Sequence, residues 1–151
     1  MPPHLWSVAE RRSRQVPGVP KPGVPVVQSI IMGITFLTLR VSNPADPGKS
    51  APFDFLVDSG AVYSVMPEDD LKKLGISPTS FEQFILANGE KLRMPVGNAF
   101  FEYQGKTRAA PVVFGAKDVF LLGATTIGVL GMILDPIHRE LKPLPMVMMH
   151  V

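Results

Sequence analysis

The distribution of apolar and polar residues along the chain predicts a succession of short β-strands. β-branched and apolar residues extend from Ile31 to Val41 and from Phe53 to Val57, which favours two strands. Residues 43–48 are rich in Asn, Pro, Asp and Gly and predict the turn between them. Further apolar stretches predict strands over residues 99–103, 106–114, 119–122, 132–134 and 140–144. The pattern therefore predicts a mostly β fold.

Turn signals and charge patterns add hairpins and two short helices. Asn88-Gly89 separates apolar stretches at 81–87 and 90–96, and Asn-Gly is the strongest short-range hairpin signal. Gln104-Gly105 separates the next two strands in the same way. Residues 67–75 begin with Pro, continue with acids and then lysines, and end with Gly, which matches a helix and its dipole. Residues 125–130 predict a second helix that ends at Gly131.

Length and composition divide the chain into three parts. A chain of 151 residues, 46% of them hydrophobic, fits one well-cored domain, which we place at residues 30–145. Residues 1–29 hold six of the 16 prolines and predict a basic, flexible arm. Residues 146–151 form an apolar tail, which either packs on its own domain or adds strands to a dimer interface. Met32 lies where the ordered pattern begins, and the sequence leaves open whether translation starts at Met1 or at Met32.

Charge and residue usage exclude several classes of function. Residues 1–21 contain four of the 15 basic and one of the 13 acidic residues, so 15 − 4 = 11 and 13 − 1 = 12 remain and the domain is near neutral. We therefore expect no nucleic-acid partner. The chain has no cysteine and only three widely separated histidines, so we expect no metal site and no cofactor. It shows no secretory signal, and its longest apolar run, 119–134, is short for a membrane span, which favours a soluble, cytoplasmic protein without a membrane partner.

The tripeptide Asp58-Ser59-Gly60 directly follows the predicted strand 53–57. It fits an ordinary Asx-type turn, but a carboxylate between buried strands is costly unless it is paired or used. Further along, Leu121-Leu122-Gly123 predicts a strand that passes close to another backbone. A serine hydrolase is disfavoured, because neither Ser59 nor Ser64 lies in a Gly-x-Ser-x-Gly turn.

Together these features resemble the retropepsin-like aspartic peptidases, and in particular their stand-alone prokaryotic members. The resemblance covers about residues 30–145 and rests on Val57–Ala61, Asn88-Gly89, Gln104-Gly105 and Leu121–Gly123, in that order. It implies a closed, small β-barrel-like acid-protease fold with one or two short helices, in a two-fold symmetric homodimer.

The resemblance also implies a role for each matching residue. Asp58 is the expected catalytic acid and base, Ser59 braces the paired turns across the subunit boundary, and the Gly60 carbonyl accepts a substrate amide. Viral members carry acidic residues where this chain has Val62 and Tyr63, and an arginine where it has Ala124. The full implied set comprises the catalytic residues Asp58, Ser59 and Gly60, the substrate-binding residues Gly60, Ala61, Val62, Ala87, Asn88 and Gly89, and the supporting loop Leu121, Leu122 and Gly123.

A single Asp-Ser-Gly turn predicts that two chains build the site. Peptide hydrolysis without a covalent intermediate needs a base for water and an acid for the carbonyl oxygen, and two carboxylates that share one proton supply both. Residues 68–70 indicate a solvated helix start and Asp135-Pro136 a turn, so the second Asp58 is expected from a symmetric partner. The sequence thus predicts an aspartic endopeptidase acting on peptides or proteins. The alternative is a catalytically silent dimerisation or peptide-binding module with the same fold.

Overall fold

The computed structural model of the chain describes residues 34–144, so the predicted arm (1–29) and tail (146–151) lie outside the described residues. In chain order, the described elements are β1 (Phe36–Asn43), β2 (Asp46–Val57), β3 (Ser64–Pro67), α1 (Glu68–Lys73), β4 (Ser80–Ile85), β5 (Lys91–Tyr103), β6 (Lys106–Gly115), β7 (Leu121–Leu122), α2 (Ala124–Val129), β8 (Met132–Asp135) and β9 (Glu140–Pro143). The prediction of a mostly β chain with two short helices is confirmed.

Seven of these strands belong to one sheet. Their order is β1-β2-β7-β3-β6-β5-β4, and β5 also pairs with β1. Hydrogen-bonded pairing therefore runs from β1 across the sheet and back to β1, while β4 stays outside this circuit as an edge strand. The remaining two, β8 and β9, pair with each other.

The apolar side chains form two clusters, one on each face of β2. Phe55 and Val57 belong to the larger cluster, whereas Leu56 belongs to the smaller one, because successive side chains of a strand point to opposite faces. All three are buried. The strand that leads to Asp58 is therefore fixed from both sides.

The two helices begin and end close to where the charge and glycine patterns predict. At the end of α1, the Gly75 N–H donates to the Lys72 carbonyl at 2.9 Å and the Ile76 N–H donates to the Leu71 carbonyl at 3.0 Å. These two bonds form a Schellman motif, with Gly75 in the left-handed region at a φ of 77°. Gly131, with a φ of 65°, follows α2 in a similar conformation.

The predicted hairpin at Asn88-Gly89 is confirmed, and its loop is one residue longer than the Asn-Gly pair. Its strands end at Ile85 and resume at Lys91, the Gly89 N–H donates to the Leu86 carbonyl, and the Leu86 N–H donates to the Glu90 carbonyl. Gly89 has a φ of 86°, as expected for the left-handed residue that closes a three-residue hairpin loop. The Asn-Gly signal therefore identified the hairpin, and Gly89 is the left-handed residue of a loop that also includes Ala87.

The second hairpin agrees with the prediction. Tyr103 pairs with Lys106, and the two residues between them, Gln104 and Gly105, have φ values of 50° and 79°. Two consecutive left-handed residues define the turn type that favours tight hairpins.

The predicted turn at 43–48 is shorter in the structure, where β2 already begins at Asp46. The Asn43 side chain is the reason: its Oδ1 accepts the Ala45 N–H at 2.9 Å, and its Nδ2 donates to the Leu74 carbonyl at 3.0 Å. One buried side chain thus closes the turn within two residues.

Candidate active site

Asp58 is the first residue after β2 and begins a tight turn. Its carbonyl oxygen accepts the Ala61 N–H at 3.0 Å, and its side-chain Oδ1 accepts the Gly60 N–H at 3.1 Å. A Cβ atom at Gly60 would lie 3.3 Å from the same Oδ1, so glycine leaves room beside the carboxylate. Asp58 is half-buried, while Ser59 and Gly60 are exposed. We call residues 58–63 the Asp58 turn.

The predicted supporting loop lies directly against this turn. β7 runs parallel to the end of β2, with Leu121 opposite Leu56 and Leu122 opposite Val57. The Asp58 N–H donates to the Leu122 carbonyl at 2.9 Å. The pairing therefore continues one residue beyond β2 and fixes the backbone of Asp58 itself.

Gly123 packs on the backbone of the Asp58 turn. A Cβ atom at this position would lie 2.5 Å from the carbonyl carbon of Tyr63 and 2.6 Å from its oxygen. No side chain fits at such distances, so the predicted close approach of two backbones is confirmed.

Backbone hydrogen bonds from the start of α2 also hold the Asp58 turn in place. The Ala124 N–H donates to the Ala61 carbonyl at 2.8 Å, and the Thr125 N–H donates to the Val62 carbonyl at 2.9 Å. Residues 121–126, the supporting segment, thereby contact the Asp58 turn at its first residue and again at Ala61, Val62 and Tyr63.

Two buried hydroxyl groups behind the turn were missed by the sequence analysis. Ser64 Oγ lies 2.5 Å from Thr126 Oγ1 and accepts the Gly123 N–H at 3.0 Å. Both side chains are fully buried, where a polar group without a partner is costly. The signal available in the sequence was that each hydroxyl residue stands within an apolar stretch.

Tyr63 connects the Asp58 turn to the first hairpin, which β4 and β5 form. Its hydroxyl donates to Glu82 Oε1 at 3.4 Å, and its ring meets the Phe84 ring edge-on with the centroids 6.0 Å apart. Burial raises the pKa of Tyr63, and the negative charge and hydrogen bond of Glu82 raise it further. One face of β4 therefore lies against the turn, at Glu82 and at Phe84, one residue before the strand ends.

The predicted residues at the hairpin tip are not joined to the turn by any described contact. Ala87, Asn88 and Gly89 are exposed, and the hydrogen bonds described for Asn88 and Gly89 stay within the hairpin. Val62, also predicted to bind substrate, is 64% exposed on the turn.

Two other carboxylates named in the sequence analysis are ion-paired. Asp135 Oδ2 lies 2.7 Å from both Lys142 Nζ and His138 Nδ1, and the Lys142 and His138 interactions hold the pKa of Asp135 well below its usual range. Glu68 pairs with Lys72 at 2.9 Å.

The described part of the chain offers no group of three or more His, Cys, Asp or Glu side chains that could hold a metal ion. Among residues 34–144, no helix is long and apolar enough to cross a membrane.

Three solved structures illustrate what the fold is similar to. The simian foamy virus (mac) protease is 21% identical, with 61% of this chain and 92% of that chain covered and a TM-score of 0.44. An EIAV protease in complex with an inhibitor is 17% identical, with 65% and 88% covered and a TM-score of 0.48. A foamy viral protease-reverse transcriptase in complex with an RNA/DNA hybrid is 18% identical, with 75% and 13% covered and a TM-score of 0.45. These scores are too low to transfer site residues.

The match to a protein-family model, unlike the structural similarities, is extensive enough to assign the chain to a family. No curated protein matches the chain. The family model described as aspartyl protease matches residues 44–134, a range that contains 134 − 44 + 1 = 91 of the 151 residues, including the Asp58 turn and the supporting segment. Since more than half of the sequence matches, the chain belongs to the aspartyl protease family, and its recognition as a retropepsin-like aspartic peptidase is confirmed.

Proposed function

We propose that the chain is an endopeptidase that hydrolyses peptide bonds with a water molecule held between two Asp58 residues, one from each protomer of a homodimer. One observation carries the proposal: the Asp58 carboxylate directly follows Phe55–Val57, the last three residues of β2, which are buried on both faces, and it stands on a turn whose backbone is bonded to the supporting segment. A catalytic group requires such fixed placement, since small displacements reduce the rate strongly.

The need for two chains follows from the number of suitable carboxylates. A base for water and an acid for the carbonyl oxygen must act together, and two adjacent carboxylates sharing one proton provide both. The sequence contains a single Asp-Ser-Gly turn, and Asp135 and Glu68 are already ion-paired. A second copy of the chain, related by a two-fold axis, supplies the second Asp58.

The reaction then proceeds in two steps. The ionised Asp58 takes a proton from water as the oxygen attacks the carbonyl carbon, while the protonated Asp58 of the partner subunit gives its proton to the carbonyl oxygen. The tetrahedral diol then collapses. One of its hydroxyls gives its proton to the ionised Asp58, while the protonated Asp58 gives its proton to the nitrogen of the leaving amine. No covalent enzyme intermediate and no cofactor take part.

The same proposal assigns the substrate contacts. Gly60, Ala61 and Val62 on the turn, together with Ala87, Asn88 and Gly89 at the hairpin tip, bind the peptide, and Ser59 braces the two turns of the dimer. These assignments are supported by solvent exposure: Ser59, Gly60 and Val62 are exposed beside Asp58, and the hairpin-tip residues are exposed as well.

A peptide-library digest from acid to neutral pH tests the proposal with Asp58→Asn and Asp118→Asn as a matched pair. Both changes replace one carboxylate by an amide, and Asp118, with a φ of 65°, occupies a conformation that asparagine tolerates well. We expect Asp58→Asn to abolish cleavage and remain dimeric in sedimentation, and Asp118→Asn to cleave as wild type does.

Two results would contradict the proposed function. A wild-type chain that cleaves no peptide at any pH would favour the catalytically silent binding module. An active chain that sediments only as a monomer would exclude the shared site.

A further inference from the structure

We propose that Tyr63 is a positioning residue of this site, which holds strand β4 of the first hairpin at a fixed place beside the Asp58 turn through Glu82 and Phe84. The inference rests on the proposed function, because it concerns how the same site receives a peptide. It assigns Tyr63 no contact with the reacting atoms.

The backbone of Tyr63 is among the most firmly held in the turn. The residue before it accepts the Thr125 N–H through the Val62 carbonyl, and the residue after it accepts the Gly123 N–H through Ser64 Oγ. Gly123 itself packs on the Tyr63 carbonyl. Whatever the Tyr63 side chain contacts is therefore positioned relative to Asp58.

β4, the strand that Tyr63 contacts, has few other contacts. The buried residues Met94 and Val96 of this hairpin belong to β5, and Phe84 is the β4 residue that packs on the smaller apolar cluster. β4 is an edge strand whose only strand neighbour, within residues 34–144, is β5. One face of β4 is open to solvent, with Phe81 57% and Ile85 73% exposed. Glu82 and Phe84 lie two residues apart on the other face, the face that meets Tyr63. Strands with one neighbour and few buried contacts move most easily, so a contact at this point has a large influence on the position of the hairpin.

The chemistry of the pair suits a durable contact. Burial and the charge of Glu82 raise the pKa of Tyr63, so the phenol keeps its proton and remains a donor at neutral and acid pH. The 3.4 Å separation is long, however, so the hydroxyl contributes modestly and the ring contact with Phe84 supplies the rest.

Tyr63→Phe separates the two contributions, because it removes the hydroxyl and keeps the ring. We expect KM for a cleaved peptide to rise about threefold, while kcat stays within about twofold, since loss of one weak hydrogen bond is a small change in free energy. The effect falls on KM because a hairpin that is held less firmly must be ordered by the substrate, which reduces affinity. Adding Glu82→Gln to Tyr63→Phe should not raise KM further, since both changes act on one contact.

The chain contains a second tyrosine that serves as a control. The Tyr103 hydroxyl accepts the Leu141 N–H, also at 3.4 Å, next to the turn of the second hairpin. Tyr103→Phe removes the same atom from an equally long hydrogen bond and should leave KM unchanged.

Carbon-13 labelling of the tyrosine rings provides a readout that does not depend on turnover. The two tyrosines give two signals, which Tyr63→Phe and Tyr103→Phe assign. A statine-containing peptide that is not cleaved should shift the Tyr63 signal of the wild-type chain and leave the Tyr103 signal in place.

The outcomes distinguish this inference from the proposed function. If wild type, Tyr103→Phe and Tyr63→Phe cleave with the same KM, Tyr63 has no positioning role, although the peptidase stands. A Tyr63 signal that does not shift when the statine peptide binds would likewise show that Tyr63 has no positioning role. If no form of the chain cleaves a peptide, the proposed function fails, and this inference fails with it.

Discussion

The Asp58 turn and the first hairpin are held in opposite ways. Backbone hydrogen bonds join the turn to the supporting segment at Asp58, Ala61 and Val62, and a buried hydroxyl adds a further bond at Ser64. The hairpin, in contrast, presents an edge strand with an exposed apolar face, and Tyr63 is its described link to the turn. The difference matches two different demands, because a catalytic carboxylate must be immobile whereas a segment that admits a peptide must be able to move.

The largest effect is expected from a substitution at Gly123, where the supporting segment packs most tightly on the Asp58 turn. Gly123→Ala would place a Cβ atom 2.5 Å from the Tyr63 carbonyl carbon, so one of two backbones must shift. We expect a loss of about 3 kcal/mol or more in the free energy of unfolding, since overpacking against backbone cannot relax as a side chain does. Peptidase activity should fall to background. Thermal unfolding and a peptide assay measure the two effects.

Gly128→Ala is the matched control for that change. Gly128 lies in α2, five residues after Gly123, and a Cβ atom there meets nothing within 4 Å. Alanine is the better helix former by about 1 kcal/mol, so this variant should be slightly more stable than wild type and equally active. Equal behaviour of the two glycine variants would contradict the tight packing of the turn on Gly123.

The hydroxyl pair behind the turn gives the next largest effect. Ser64→Ala leaves the Gly123 N–H and the Thr126 hydroxyl buried without their partner, which we expect to cost about 1–3 kcal/mol of unfolding free energy. Thr126→Val removes the other hydroxyl but preserves the bond from Gly123 to Ser64, and should cost less. Urea denaturation of the two variants measures the order.

An exposed hydroxyl provides the comparison for the buried pair. Thr38 donates to Asp54 at 2.5 Å on the surface, where water replaces a lost partner. Thr38→Ala should change the unfolding free energy by less than about 1 kcal/mol. If Ser64→Ala is as mild as Thr38→Ala, the buried pair does not stabilise the turn.

The sequence predicted the part of the site that depends on local pattern and missed the part that depends on distant partners. The Leu121-Leu122-Gly123 pattern predicted a close backbone approach because a glycine beside a buried strand often marks a place where a side chain has no room. Ser64 and Thr126 meet across 62 positions, and a lone hydroxyl in an apolar stretch does not reveal which other residue it will contact. The Tyr63 contact was hidden for the same reason, although Tyr63 is one of the departures from the viral pattern.

The fold shows the same division. Both helices and most strands followed from periodicity and turn residues, since those are properties of neighbouring positions. Strand β3 was not predicted, and the predicted strands 90–96 and 99–103 are one continuous strand, β5. The early start of β2 did not follow either, because it depends on the buried Asn43 side chain and its bond to the distant Leu74 carbonyl, while Pro47 and Gly48 lie in the irregular part of the pairing between Asp46 and Ser50.

The smallest effect is expected at the hairpin tip, where it separates a role in binding from a role in folding. Gly89 and Gly105 have left-handed φ values of 86° and 79°, and a Cβ atom at either position meets nothing within 4 Å. Alanine at either site therefore costs about 1 kcal/mol of backbone strain and no packing. We expect Gly89→Ala and Gly105→Ala to lower the unfolding temperature equally, and only Gly89→Ala to raise KM for a peptide. An equal KM in the two variants would mean that the tip of the first hairpin does not contact the substrate, and the hairpin would then serve the site only through the contact of β4 with Tyr63.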